Sequence, residues 1–327
     1  MIFKCKNCGG NSVYNPDKGT MYCPHCESLD SEEKIPSTVM TECVNCGAPL
    51  EIGDFTSASK CPHCGSYIIF EERVQGEFTP SLILPFKISK QKAVDLLHNE
   101  FRKRTFTPSG FLSSASIDKM EGTYVPFFMY DYDADVDFQG KGTKVRAWTS
   151  GDTEYTETSF YDVIRKMDID FQKIPVDASK CMEDNVMDLM EPYDYKALEN
   201  FKEKYLSGFL GEKYNFTSAE LEERAKQKAD KDARMLLQDS LTGYTTLTRE
   251  HELINLKEKE IHYTLLPVWV YLFSYQGKEY QFHINGQSGK IIGVTPVAKQ
   301  KVIGYSATVF GIIMVIGLML RMILEVL

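Results

Sequence analysis

Four C-x-x-C pairs crowd into the first 64 residues: Cys5/Cys8, Cys23/Cys26, Cys43/Cys46 and Cys61/Cys64. No other feature limits the fold so tightly. Fourteen residues separate Cys8 from Cys23, and fourteen separate Cys46 from Cys61. A shift of 38 residues carries the first four cysteines onto the second four. The neighbours repeat too. Cys5-Lys6-Asn7-Cys8-Gly9 matches Cys43-Val44-Asn45-Cys46-Gly47, and Cys23-Pro24-His25-Cys26 matches Cys61-Pro62-His63-Cys64. Such self-similarity marks an internal repeat.

The spacing points to zinc. Two thiolates three residues apart wrap one side of a tetrahedral ion, and a second pair brought back by a hairpin closes the other side. Gly9 and Gly47 stand where the turn around the metal favours positive φ. Pro24 and Pro62 stiffen the second turn of each unit. A unit this short cannot bury enough core to fold alone, so the metal supplies the missing free energy. The expected units are zinc ribbons over residues 1–30 and 40–70, each with one zinc ion on four cysteines. The rival is a disulfide framework. The start, Met1-Ile2-Phe3-Lys4-Cys5, leads straight into a pair with no secretory signal, so a reducing compartment is expected and thiols are favoured. His25 and His63 sit directly before a ligand and read as turn residues. Cys181 stands alone and reads as an idle thiol.

At the other end, Val302 to Leu320 is a run of nineteen residues without a charge. A helix of that length covers roughly 28 Å, close to the hydrocarbon core of a bilayer. The run is apolar around its whole circumference, which argues against a buried helix of a soluble domain. The expected transmembrane helix covers 302–324, with Met322 to Leu327 continuing it. Lys290, Lys299 and Lys301 precede it, so the positive-inside rule places the N-terminal region in the cytoplasm of a single-pass cell-membrane protein.

The remainder, 80–298, reads as a mixed α+β body. Ser89 caps a helix to about Arg104, with Val94, Leu97 and Phe101 on one face. From Tyr124 the period becomes two: Tyr130, Tyr132, Ala134, Val136 and Phe138 face one way, and Asp131, Asp133, Asp135 and Asp137 the other. The four aspartates read as a solvated sheet edge, and Gly140-Lys141-Gly142 as a turn. Residues 177–258 read as a helical insertion. In it Thr217-Ser218-Ala219-Glu220 is a capping box, and Leu221, Ala225, Ala229 and Leu236 form the apolar stripe. Antiparallel meanders return from Tyr263 through turns at Gly277 and Asn285–Gly289. Thr123–Tyr130 echoes Thr264–Tyr271 at an offset of 141, a weak repeat of a β-unit.

Composition narrows the function. At 43% hydrophobic and 25% charged the chain is ordinary, which excludes general disorder, collagen and a polytopic membrane protein. The net charge of −9 disfavours a protein that grips duplex DNA by its phosphates. Catalytic motifs fail one by one. Gly286-Gln287-Ser288-Gly289-Lys290 lacks the first glycine of a phosphate loop, and Ile291 stands where a magnesium-binding hydroxyl belongs. His251-Glu252 opens a zincin-like string that Asn255 breaks. No catalytic residue, small-molecule substrate or organic cofactor is expected.

The chain resembles a bacterial family of membrane-anchored zinc-ribbon proteins. The resemblance rests on the paired ribbons, Leu84-Pro85-Phe86-Lys87-Ile88-Ser89, Tyr124-Val125-Pro126-Phe127, Leu266-Pro267-Val268-Trp269 and Phe282-His283-Ile284-Asn285-Gly286-Gln287-Ser288-Gly289-Lys290. Members are often labelled transcription-factor-IIB-type zinc-ribbon proteins, and some bear a label borrowed from the primosomal replication-restart helicase. The missing phosphate loop argues against the latter. The resemblance implies a non-enzymatic scaffold in membrane-stress response that recruits phage-shock-protein-A-like or flotillin-like partners. The alternative is a nucleic-acid-binding accessory factor of replication or transcription that uses the ribbons; residues 1–26 carry a net charge of +2.

Overall fold

The computed structural model describes residues 1–37, 41–108, 110–113, 117 and 119–326. Met40 and Leu327, the outer ends of the second ribbon and of the apolar run, lie outside the described residues. The first ribbon contributes β1 (Ile2–Cys5), β2 (Val13–Asn15), β3 (Thr20–Tyr22) and β4 (Glu32–Ile35), and the second β5 (Thr56–Lys60) and β6 (Tyr67–Ile69). Then follow β7 (Leu82–Ile83), helix α1 (Lys90–Phe101), β8 (Glu121–Ser150), β9 (Thr153–Asp177) and helix α2 (Asp184–Met190). The second half runs β10 (Glu199–Asn200), β11 (Leu210–Glu212), helix α3 (Ser218–Ser240), β12 (Thr246–Tyr275), β13 (Lys278–Asn285), β14 (Ile291–Gly293) and helix α4 (Lys299–Val326).

One ten-stranded sheet carries the body, in the order β10-β7-β12-β8-β11-β5-β6. Strand β9 continues from β8, and β13 and β14 from β12. At its centre β8 and β12 run antiparallel, Val136 opposite Ile254 and Pro267 opposite Tyr124. The segments that echo at an offset of 141 are these two strands, and their surroundings obey the same offset. Strand β11 lies parallel to Thr123–Tyr124, and β7 parallel to Thr264–Leu265. Strand β9 ends opposite Phe127, and β13 opposite Val268. The halves are related by an approximate two-fold, and each lends its first short strand to the other half's long strand.

Period-two patterning puts Tyr130, Tyr132, Val136 and Phe138 on one face, all buried beneath α3. The Thr217–Glu220 capping box opens this helix. Its buried stripe is Leu221, Ala225, Ala229, Ala233 and Leu237. The three alanines let it lie close to the sheet. Leu236, read as part of the stripe, is 43% exposed, and Leu237 takes its place. A strict i, i+4 run from Ala225 leads to Ala233 and Leu237, and the sequence reading skipped Ala233. Farther along the same face, α1 buries Ala93, Val94, Leu97 and Phe101 among Phe111, Tyr271 and Phe282. Ser89 precedes α1 without a side-chain cap bond.

Three expectations differ from the structure. Residues 177–258 hold one long helix, α3, among short elements, and from Thr246 onward the chain is strand. The charged run Arg249–Glu260 imitates an exposed helix because one of its sheet faces is solvated. Gly140 and Gly142 do not turn the chain; β8 runs on to Ser150, and Gly151 (φ +62°) begins the reversal. Both glycines serve close approach instead. A Cβ on Gly140 would meet the Thr248 carbonyl at 2.5 Å, and one on Gly142 the Tyr244 ring at 2.5 Å. Lastly, β8 is no edge, since β9 and β12 flank it. Its aspartates line an open face of an interior strand.

Candidate metal centres and the apolar helix

The eight cysteines gather as two groups of four, Cys5/Cys8/Cys23/Cys26 and Cys43/Cys46/Cys61/Cys64, with the four sulfurs of each group all within 4.8 Å of one another. In the first group Cys5 Sγ and Cys26 Sγ are 3.6 Å apart, and Cys8 Sγ and Cys23 Sγ 3.5 Å. In the second, Cys43 and Cys64 are 3.7 Å apart, and Cys46 and Cys61 3.9 Å. A disulfide would require about 2.05 Å. A tetrahedron around an ion bonded at about 2.3 Å has edges of about 3.8 Å. Both groups therefore fit a four-coordinate metal ion.

One backbone turn builds all four corners. The amide of Gly9 donates to the Cys5 carbonyl at 2.8 Å, and Glu27, Gly47 and Gly65 do the same for Cys23, Cys43 and Cys61. The donor residue is left-handed each time: Gly9 +72°, Glu27 +62°, Gly47 +70°, Gly65 +72°. The first cysteine of each pair is buried; Cys8, Cys26 and Cys46 reach solvent. His25 and His63 belong to neither group of four.

A shell of polar groups supports the sulfurs. Asn7 Nδ2 donates to Ser28 Oγ at 2.9 Å, and Asn45 Nδ2 to Ser66 Oγ at 2.9 Å, again 38 residues on. Each serine approaches a sulfur, Ser28 at 2.8 Å from Cys26 and Ser66 at 3.3 Å from Cys64. The Ser28 hydroxyl and amide hold the Cys26 thiol below its ordinary range. Burial opposes ionisation of Cys64, but Ser66 and Asn45 outweigh it and bring the thiol to about 5. Burial also opposes that of Cys5, where the amides of Asn7 and Cys8 prevail and bring it to about 6. Others move the opposite way. The Gly10 amide favours the Cys8 thiolate, yet its neighbouring thiols push Cys8 up to about 12. Burial pushes Cys43 up to about 12. Four anions this close cannot all ionise without a cation among them.

The ribbons are built into the body. Strand β5 pairs with β11, so the second ribbon extends the main sheet. Ile69 donates to the Met1 carbonyl at 2.9 Å, which lays the first ribbon against β6. Lys4 Nζ bridges Asn11 Oδ1 at 2.8 Å and Asn45 Oδ1 at 2.6 Å, and Asn11 Nδ2 donates to Ser66 Oγ at 2.8 Å. The sequence reading missed this contact, although the asparagine shared by both Cys-x-Asn-Cys strings was its signal. It also missed Asp131, Glu260 and His262, whose donor atoms lie within 4.8 Å of one another at two β-bulges. No sequence spacing joins them. Cys181 is exposed and apart from both groups.

Helix α4 is the other functional element. Its stretch Lys299–Met322, 24 residues whose most apolar 18-residue window has a mean hydropathy of 2.2, is long and apolar enough to cross a membrane, and none of that window is buried. Its foot is fastened to the body: Ala298 donates to the Phe106 carbonyl at 2.8 Å, and the Phe106 and Tyr305 rings meet edge to face.

No protein-family model and no solved structure matches the chain. Over 320 residues it is 38% identical to the uncharacterized protein YdjG of Bacillus subtilis (strain 168), covering 94% of each chain. Similarity of that degree over nearly the whole of both proteins shows common descent, and the chain belongs to the family of the Bacillus protein YdjG.

Proposed function

We propose that the protein is a non-enzymatic scaffold, anchored in the cell membrane by α4, that presents two zinc ribbons and recruits partner proteins to the cytoplasmic face. One observation carries the reading: two closed four-thiolate sites belong to one folded body that ends in an exposed apolar helix. All-thiolate tetrahedral donors select zinc over harder ions. Four protein ligands leave no open coordination position, which favours structural over catalytic metal. An apolar surface as large as α4 is not stable in water and is satisfied by lipid. Lysines ahead of the span favour a cytoplasmic body, where a reducing medium protects the thiolates.

Partner chemistry follows the resemblance, toward phage-shock-protein-A-like or flotillin-like proteins in membrane stress. Eight thiolates and two zinc ions would take the formal charge from −9 to −13, which opposes the nucleic-acid alternative. The test is affinity purification of the full chain from detergent extracts. A protein of one of those two kinds is expected at stoichiometric yield, and it is lost when Cys43 and Cys61 become serine. Recovery of the bait alone, or of a nucleic acid whose binding weakens steeply with salt, overturns the scaffold reading.

A further inference from the structure

We propose that a basic depression at the foot of α4 binds the phosphate of an anionic phospholipid headgroup. The proposal rests on the reading of α4 as a membrane anchor. The depression, roughly 540 Å³, is lined by His98, Arg102, Arg104, Thr107, Phe111 and Lys301 among others. Arg102 and Arg104 follow the end of α1, Thr107 lies in the next loop, and Lys301 is in the first turn of α4. Lys301 Nζ donates to the Thr107 carbonyl at 2.7 Å, and Arg104 Nη1 to Thr295 Oγ1 at 2.5 Å, so both cations are held at the boundary where α4 leaves the body.

Three observations single out this place. The surrounding chain is acidic, yet Arg102, Arg104 and Lys301 line the depression, and Glu100 pairs with Arg104 at 2.6 Å. Among the described residues Arg102 and Lys103 have no ion-pair partner. Thr107 is 8% exposed, and among the described residues its Oγ1 has no hydrogen-bond partner. A buried hydroxyl left unpaired costs on the order of 1–3 kcal/mol, which an incoming acceptor oxygen would recover. The helix C-terminus of α1 accounts for a cation at Arg102. It does not account for Lys301, some 200 residues away in sequence. The positive-inside rule concerns residues flanking a span in sequence and does not account for Arg102 or Arg104. A phosphodiester at the membrane surface meets all of them: charge for the guanidinium and ammonium groups and an acceptor for Thr107.

The test uses the full chain in nanodiscs of phosphatidylcholine alone or mixed with phosphatidylglycerol, with bound lipid counted by native mass spectrometry after mild detergent release. Phosphatidylglycerol is expected to be retained about tenfold over phosphatidylcholine. Arg102→Gln combined with Thr107→Val should abolish that preference. Thr107→Val alone should weaken retention while leaving the melting temperature equal or higher, which loss of a structural hydroxyl bond would not do. Equal retention of the two lipids, or preference unchanged in the variants, overturns the site. Full displacement by free glycerol phosphate overturns a headgroup in favour of a soluble phosphate. Carbonate washing of membranes separates the two readings: release of the protein overturns the anchor and this site together, whereas retention without lipid preference overturns the site alone.

Discussion

The molecule contains two repeats, and they have been preserved in different ways. The ribbons repeat at an offset of 38 with residue identity intact: every cysteine, the asparagine beside it and the serine that supports it recur. The halves of the body repeat at an offset of 141 with ladder register intact and little shared identity. The difference is one of chemistry. A metal ion accepts few donor atoms at fixed distances, so no substitution is neutral. A β-ladder is made by the backbone, and any side chain that respects the two faces will do. Residues equivalent in the ribbons should therefore be irreplaceable, while residues equivalent in the body should be exchangeable.

The largest effect is expected from the ribbons. The metal contributes about 10–16 kcal/mol to folding in isolated zinc-binding peptides, comparable to the whole stability of an ordinary domain. The two units should nonetheless differ. The first lays Met1 against Ile69 and Lys4 against Asn45, so part of its seat is the second ribbon; the rest is the body, where the Tyr14 amide donates to the Ser207 carbonyl at 2.8 Å. The second is held by the main sheet through β5 and β11. Cys5→Ser with Cys23→Ser should leave about one zinc per chain. Cys43→Ser with Cys61→Ser should lose more than one and open β11 to proteolysis. Metal analysis with limited proteolysis reads both, and equal losses would break the idea that one ribbon seats the other.

Next in size is Asp177, which stands where the other half has Asn285. Asn285 satisfies its whole amide: Nδ2 donates to the Met190 carbonyl at 2.9 Å, and Oδ1 accepts from Gln287 and Ser288 at 2.9 Å. Asp177 is 1% exposed, accepts from Ser179 at 3.2 Å, and among the described residues leaves Oδ2 without a partner. Burial pushes its carboxyl up to about 8, the Ser179 amide opposes this, and Asp184 and Glu212 add to it against Arg224. The folded state therefore holds its proton more tightly than the unfolded state, and stability falls as pH rises from about 4 to about 8. Asp177→Asn should gain on the order of a few kcal/mol at neutral pH and flatten that slope. Burial also raises Glu212 and Glu191 and lowers His283 to about 4, the last with the opposite slope, so Asp177 is read from the difference between variant and parent. Melting temperatures across this range check it, and an unchanged slope would make the two positions inequivalent.

This contrast explains what the sequence disclosed. All eight cysteines were legible because their spacing encodes a local geometry, and the apolar run because nineteen residues without a charge need no partner to be read. The capping box was legible for the same reason. The course of β8 and β12 was not. Gly140 and Gly142 look like a turn unless Thr248 and Tyr244 are known to press on them, and those residues arrive from β12 and the loop before it, about 100 positions later. The seating of the ribbons on β11 was equally hidden, since it depends on pairing over some 150 residues. Local chemistry announces itself in sequence, whereas long-range pairing only constrains a pattern.

A smaller effect tests the ribbons against themselves. Three of the four metal turns place glycine at positive φ, and the fourth places Glu27 there at +62°. Left-handed backbone costs an ordinary residue about 1 kcal/mol. Glu27→Gly should stabilise the first ribbon by up to that amount and slow zinc loss to a chelator. Gly65→Glu should cost the second about as much. Opposite signs of comparable size are expected, and no change at Glu27 would mean that its side chain has been given another task.

The smallest effect lies at the paired helix starts. Ser89 and Thr217 each follow their short strand by the same interval and begin α1 and α3. Thr217 caps in full: its Oγ1 accepts from the Glu220 amide at 3.4 Å, and Glu220 Oε2 accepts from the Thr217 amide at 2.7 Å. In α1 the position of Glu220 is taken by Lys92, which cannot accept and instead pairs with Asp17 of the first ribbon. Thr217→Ala should therefore cost about 1 kcal/mol, and Ser89→Ala only a few tenths. Lys92→Ala should cost less than about 1 kcal/mol, because the ion pair is exposed, and the loss should disappear at high salt. Chemical denaturation at two salt concentrations distinguishes them. If Ser89→Ala costs as much as Thr217→Ala, the halves still share a cap; if not, the body has exchanged a helix cap for a tie to its ribbon, a trade open to a backbone-built repeat and closed to a metal-built one.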